Sequence, residues 1–319
     1  MQDRITSRRG FLASASLAAT AACLAPHAAF AHDSDNNDGI VGMIRGEAAT
    51  GPITVQSLRG KVSVLMGSGG NIAVFSGHDG KLLVDAGITA SRRKIIEALA
   101  SISPRPVKRL INSHWHFDHT DGNAWLHASG ASILAHENTR KHLSVAQRVE
   151  GWSFTFPASP SGALPTEVFK TDCTLYYNGA AIALKSYEPA HTDSDISIHF
   201  TDADILHVAD TWWNGYYPFI DYSTGGSING IIDATEANLA RVTKTTIIIP
   251  GHGPVGNRSA LTEYRDMLVT IRDKVALLKK QGRSRDEVVA ARPTAAYDAK
   301  WGGFATKPDA FTRLIYAGV

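Results

Sequence analysis

His114-Trp115-His116-Phe117-Asp118-His119 puts four side chains of metal-ligand type within six positions. The stretch follows an apolar run, Val107–Ile111, that reads as a strand ending at Asn112-Ser113. Side chains of an extended chain alternate, so His114 and His116 can point the same way. Asp118 and His119 fall where the chain should turn into a helix, so they can point elsewhere. One short loop can then feed two adjacent metal positions. Imidazole and carboxylate suit zinc or another first-row transition metal.

The remaining ligand candidates sit at later strand ends. His191 lies between Tyr187-Glu188-Pro189-Ala190 and Thr192-Asp193-Ser194-Asp195. Asp210 ends the run Leu206-His207-Val208-Ala209, and His252 stands in Pro250-Gly251-His252-Gly253-Pro254 after Ile247–Ile249. Taken in order, the His-x-His-x-Asp-His motif, a later His, an Asp and a final Gly-His-Gly resemble the metallo-β-lactamase superfamily over roughly residues 53–256. Asp85, in Leu83-Val84-Asp85-Ala86-Gly87, fits that family's early Asp.

The resemblance implies an α/β fold of four layers, the αββα sandwich, with metals at one edge of the sheets. It implies a first metal on His114, His116 and His191 and a second on Asp118, His119 and His252. Asp210 would bridge them, together with a hydroxide. Two Zn²⁺ are expected, with Fe or Mn as alternatives. Asp118 and Asp210 are the expected catalytic residues, and Asp85 and His136 are expected to support the ligands.

Outward from this centre the chain is ordinary. It has 319 residues, 44% hydrophobic and 19% charged, which excludes a disordered chain and a disulfide scaffold. The formal charge of +2 gives no reason to expect nucleic acid as a partner. Residues 1–31 read as a signal peptide: Ser7-Arg8-Arg9-Gly10-Phe11-Leu12 resembles the twin-arginine export motif, an Ala-rich apolar run follows, and Ala29-Phe30-Ala31 offers a cleavage site. Cleavage removes Asp3, Arg4, Arg8 and Arg9, leaving 29 basic and 29 acidic residues and a single cysteine, Cys173. The expectation is a periplasmic protein that meets the twin-arginine translocon, does not stay in the membrane and acts on a small molecule.

Residues 32–52 read as a polar leader and linker, 53–282 as the metal-binding domain and 283–319 as a C-terminal segment packing on it. Residues 146–165 read as a long loop, with Trp152 a candidate lid residue. The aromatic stretch after Asp210 reads as a pocket wall. Trp115, Trp152, Trp212, Trp213, Asn214, Tyr217 and Ser223 are the substrate-pocket candidates, whereas Trp301-Gly302-Gly303-Phe304 reads as packing.

The reaction is constrained further by the ligand set. His116 stands where the family's diiron reductases carry Glu. Asp210 stands where two β-lactamase subclasses carry Cys, and the third subclass does not usually use a bridging Asp. The leading expectation is a dinuclear zinc hydrolase of an ester, thioester, lactone or lactam. The alternatives are a β-lactamase, a mononuclear iron thiol or persulfide dioxygenase, and a non-catalytic metal-binding partner of another exported enzyme.

Overall fold

The computed structural model describes residues 39–319. The expected signal peptide and the first residues of the leader lie outside them. Helix α1 spans Gly39–Thr50. Strands β1 (Thr54–Ser57), β2 (Val62–Met66), β3 (Ile72–Gly77) and β4 (Gly80–Val84) form an antiparallel meander. Helix α2 (Arg92–Ile102) crosses over to β5 (Val107–Asn112), parallel to β4. The short helices α3 (Phe117–Thr120) and α4 (Asn123–Ala128) lead to β6 (Ser132–His136), again parallel.

Helix α5 (Glu137–Leu143) and a hairpin of β7 (Gln147–Val149) and β8 (Phe154–Phe156) precede β9 (Glu167–Phe169), which closes the first sheet. The second sheet runs β10 (Asp172–Tyr177), β11 (Ala180–Ser186), β12 (Ile196–Phe200), β13 (Ile205–Trp213), β14 (Ile247–His252) and β15 (Gly256–Asn257). Helices α6 (Ile228–Arg241), α7 (Arg258–Lys280), α8 (Arg285–Ala290), α9 (Asp298–Trp301) and α10 (Pro308–Gly318) complete the chain.

Period-two alternation assigns the layers. Ala73, Phe75, Leu82 and Val84 face Ile182, Leu184, Ile198 and Ile205 of the other sheet in one apolar cluster. Their strand neighbours Ile72, Val74 and Leu83 face outward onto Ile95 and Leu99 of α2 and Leu126 of α4. Leu206, Val208 and Ile248 meet α6, α7 and the C-terminal Trp301, Phe311 and Ile315. The result is an αββα sandwich.

Two segments differ from the sequence reading. Residues 146–165 are not all loop, because the β7–β8 hairpin occupies their first half. The leader read over 32–52 contains α1. Its glycines at 39, 42 and 46 weaken helix propensity, so docking stabilises it. Val41 and Ala48 are buried in a cluster with Trp115, Phe117, Trp152 and Phe156. The Lys94 ammonium of α2 holds the far end, donating to the carbonyls of Ala48, Ala49 and Gly51.

Asn71, in the turn between β2 and β3, pins the two sheets together at the site end. Its backbone N–H donates to Gly251 at 2.7 Å, and its side-chain amide donates to the carbonyls of Pro250 and Gly253, both at 2.9 Å. Asn71→Ala leaves those two carbonyls without this donor. It is expected to lower the unfolding free energy by about 1–3 kcal/mol, measured by urea denaturation in the presence of chelator so that metal loss does not contribute.

Candidate metal centre

Asp85 organises the ligand loop. It follows β4 in the left-handed region (φ 68°) and is fully buried. Its carboxylate accepts from the Ser113 N–H at 2.7 Å, the Ser113 hydroxyl at 2.7 Å and His119 Nδ1 at 2.8 Å. Behind it, Asn112 and Asn123 exchange reciprocal amide bonds at 2.9 Å. The chain stays extended to His116 (ψ 148°) and then enters the single turn of α3, which sends Asp118 and His119 to a different position.

Two ligand groups result: His114, His116, His191 and Asp210 in one, Asp118, His119 and His252 in the other, the ligand atoms of each within 4.8 Å of one another. Asp210 lies between them. Its Oδ1 is 3.1 Å from His119 Nε2, and its Oδ2 is 3.3 Å from His252 Nε2, 3.5 Å from His191 Nε2 and 3.9 Å from His114 Nε2. Ala209, just before it, has a positive φ of 47°, where β13 slips register against β14. Close backbone approach completes the shell. A Cβ on Gly251 would stand 1.9 Å from Asp210 Oδ1, and one on Gly70 would stand 2.1 Å from the His119 ring.

Outer partners fix which ring nitrogen faces inward. Ionised carboxylates only accept, so Asp85 places the proton of His119 on Nδ1 and Asp221, 3.0 Å from His116 Nε2, places that of His116 on Nε2. The Phe219 carbonyl does the same for His191 Nδ1 at 2.8 Å. The inward nitrogens of His116 and His191 then face each other at 2.8 Å. His114 Nε2, His119 Nε2 and Asp210 Oδ1 are buried with no hydrogen-bond partner. Facing lone pairs and orphaned buried acceptors fit metal ions.

Electrostatics agree. Burial disfavours the charged form of Asp210, yet His252, His119 and His114 outweigh it and hold its carboxyl well below the usual range. Burial likewise opposes charge on His119, but Asp210, Asp118 and Asp85 push its pKa well above the ordinary histidine value. The shell therefore favours positive charge between its members.

A cavity of about 450 Å³ opens over the centre. Trp152 and Trp213 line it, with the Trp213 ring tilted at 49° to that of His252, centroids 4.3 Å apart. The other pocket candidates lie elsewhere. Trp212 is fully buried in the core under α7, and Tyr217 stacks on Phe311 at 4.6 Å. Trp115 packs behind the ligand loop against His142 and Phe156. Asn214 donates to the Pro254 carbonyl, and the Ser223 hydroxyl accepts from the Glu150 N–H. His136 supports no ligand: it caps α5 through Asn138 and bonds the Lys170 carbonyl.

Sequence reasoning missed Asp221, which carries no motif and gains its role only when its loop folds back 105 residues onto His116. It also missed the α1 face and Phe304, which line the cavity, whereas Tyr216, in the aromatic stretch read as a pocket wall, does line it. Phe304, read as packing, lies 6.0 Å from the His252 ring.

The metallo-beta-lactamase superfamily profile matches residues 65–276. A hydroxyacylglutathione hydrolase of Polaromonas sp. is 26% identical over 172 residues, covering 53% of this chain and 57% of that protein. Among solved structures, the DIM-1 metallo-β-lactamase superposes with a TM-score of 0.55 at 18% identity, covering 69% of this chain and 98% of that one. The inverting sec-alkylsulfatase Pisa1 from Pseudomonas sp. gives a TM-score of 0.62 at 17% identity, covering 89% and 53%. The chain thus spans little more than half the length of the hydrolase and of the sulfatase.

Two outcomes follow from the outer partners. Asp221→Ala is expected to weaken one of the two metal-binding steps by about 10–100-fold, read by competition with a chromophoric chelator. The second concerns His142, whose ring bonds Asp193 at 2.7 Å and Gln147 at 2.9 Å. Burial opposes its charge, but the Asp193 bond prevails and raises its pKa above the ordinary value. Its contribution to stability is therefore complete below the unfolded value, about 6.5, and is lost as pH rises through the higher folded value. Denaturant unfolding at pH 6 and pH 9 should show a loss that His142→Gln diminishes.

Proposed function

The chain belongs to the metallo-β-lactamase superfamily as a metallo-β-lactamase-like hydrolase, and from that premise we propose that it opens a small carbonyl compound at a dinuclear zinc centre. The substrate would be an ester, thioester, lactone or lactam. The observation that carries this reading is Asp210, whose carboxylate lies within 4 Å of histidine nitrogens from both ligand groups. Metal ions held by His114, His116, His191 and Asp210 and by Asp118, His119 and His252 would supply Lewis acidity, activating water near neutral pH and polarising the carbonyl.

The side chains divide the remaining work. Asp210 holds the two groups in register. Asp118 lines the cavity with Oδ2 3.3 Å from His252 Nε2, and there it can hold a proton and pass it to a leaving group. Trp152 and Trp213 keep the reacting end dry and position the acyl portion. The sequence similarity to a hydroxyacylglutathione hydrolase supports carbonyl hydrolysis as the reaction class.

Turnover of a panel of aryl esters, thioesters, lactones and a chromogenic cephalosporin by the zinc-loaded protein tests the reading. Asp118→Asn is expected to lower kcat by about 10²–10⁴. Asp210→Asn should lower occupancy of the second ion and turnover together. Unchanged metal content and rate in Asp210→Asn would remove it from the centre.

Export to the periplasm by the twin-arginine pathway is part of the same proposal, supported by the motif at Ser7–Leu12. Replacing Arg8 and Arg9 by Lys should leave the uncleaved chain in the cytoplasmic fraction. Continued appearance of processed protein in the periplasmic fraction would overturn the pathway.

A further inference from the structure

Resting on the hydrolase reading, we infer that the substrate is a neutral or cationic molecule with an apolar body, and that Glu47 of α1 is the residue that sets this preference. The helical spacing of Ile44, Glu47 and Ala48 brings one face of α1 over the metal centre, and these three, with Gly51 just past the helix, line the cavity. The opposite walls are aromatic and apolar: Trp152, Trp213, Tyr216, Phe304, Pro52 and Pro254.

Among the described residues the lining holds no Lys or Arg. Its charged side chains are the metal ligands and Glu47. Glu47 is exposed on α1 and forms no ion pair with a described residue. The two cations on and against this helix are engaged elsewhere. The Lys94 ammonium is held by the carbonyls of Ala48, Ala49 and Gly51. The Arg45 guanidinium lies over the rings of Phe117 and Phe154, at 5.4 and 5.6 Å.

A substrate carboxylate entering this cavity would find no counter-ion outside the metals and would meet the Glu47 charge. A quaternary ammonium would meet a carboxylate and aromatic faces, the surroundings that favour such a cation. A neutral group meets apolar walls at no electrostatic cost. Charge selection at the mouth thus disfavours carboxylate-bearing thioesters and lactams and favours uncharged or cationic esters and lactones. Because Glu47 is solvent-exposed, salt screens the effect, and a discrimination of up to about fivefold is expected at low ionic strength.

Three hydroxamates of one spacer length test this, capped at the far end by a carboxylate, a carboxamide or a trimethylammonium group. Their Kd values for the zinc-loaded protein are measured by titration calorimetry at low and high salt. The carboxamide and the ammonium are expected to bind up to about fivefold tighter than the carboxylate. Glu47→Gln should narrow the gap, and Glu47→Lys should reverse the order of the two charged ligands, each with two metals still bound. Equal or tighter binding of the carboxylate, an order insensitive to both variants, or no binding by any of the three would overturn the inference. The binding order is read without turnover. Absence of hydrolysis across the substrate panel would defeat the hydrolase reading alone, and hydrolysis without a charge order would defeat this inference alone.

Discussion

Three donors converge on the buried carboxylate of Asp85, and the rest of the site depends on that convergence. Asp85 stands at the end of β4, Ser113 follows β5, and His119 lies in α3. One side chain therefore fixes the end of a strand, the start of the ligand loop and the tautomer of a ligand. A buried carboxylate that loses such partners is costly, so the loop has few alternative arrangements. The second sheet is brought to the same place by Asn71, whose three hydrogen bonds fix the loop carrying His252. The ligands, drawn from four segments distant in sequence, are in this way brought to one place.

The ligands were legible in the sequence because their chemistry is local. His114 to His119 form one short loop, and His191, Asp210 and His252 each sit at the end of an apolar run. The sandwich was legible through the family resemblance that these same motifs carry. The wall of the cavity was not. Trp212 and Trp213 illustrate why: β13 continues to Trp213, so adjacent tryptophans point to opposite faces, one into the core and one over His252. A reading that ends the strand at Asp210 has no parity with which to divide them.

Helix α1 and Asp221 escaped for a different physical reason. A twelve-residue helix with three glycines has little intrinsic stability, and its existence is settled by contacts with Trp152, Phe117 and Lys94. Asp221 acquires a partner only through tertiary folding. Both are long-range facts, invisible to local propensity. The C-terminal Phe304 belongs with them, because a residue 24 positions past the end of α7 reaches the cavity through the packing of Trp301 and Phe311 on the outer layer.

The placement of α1 separates, along the sequence, part of the cavity wall from the ligand set. Every metal ligand falls between residues 114 and 252, whereas much of the wall that screens incoming molecules comes from residues 44–52 and 304. Changes in these few residues can therefore alter the cavity mouth without touching a metal ligand. The wall and the ligand set are thus separable: substitutions on one peripheral helix can reshape the cavity mouth while the four ligand-bearing segments stay as they are.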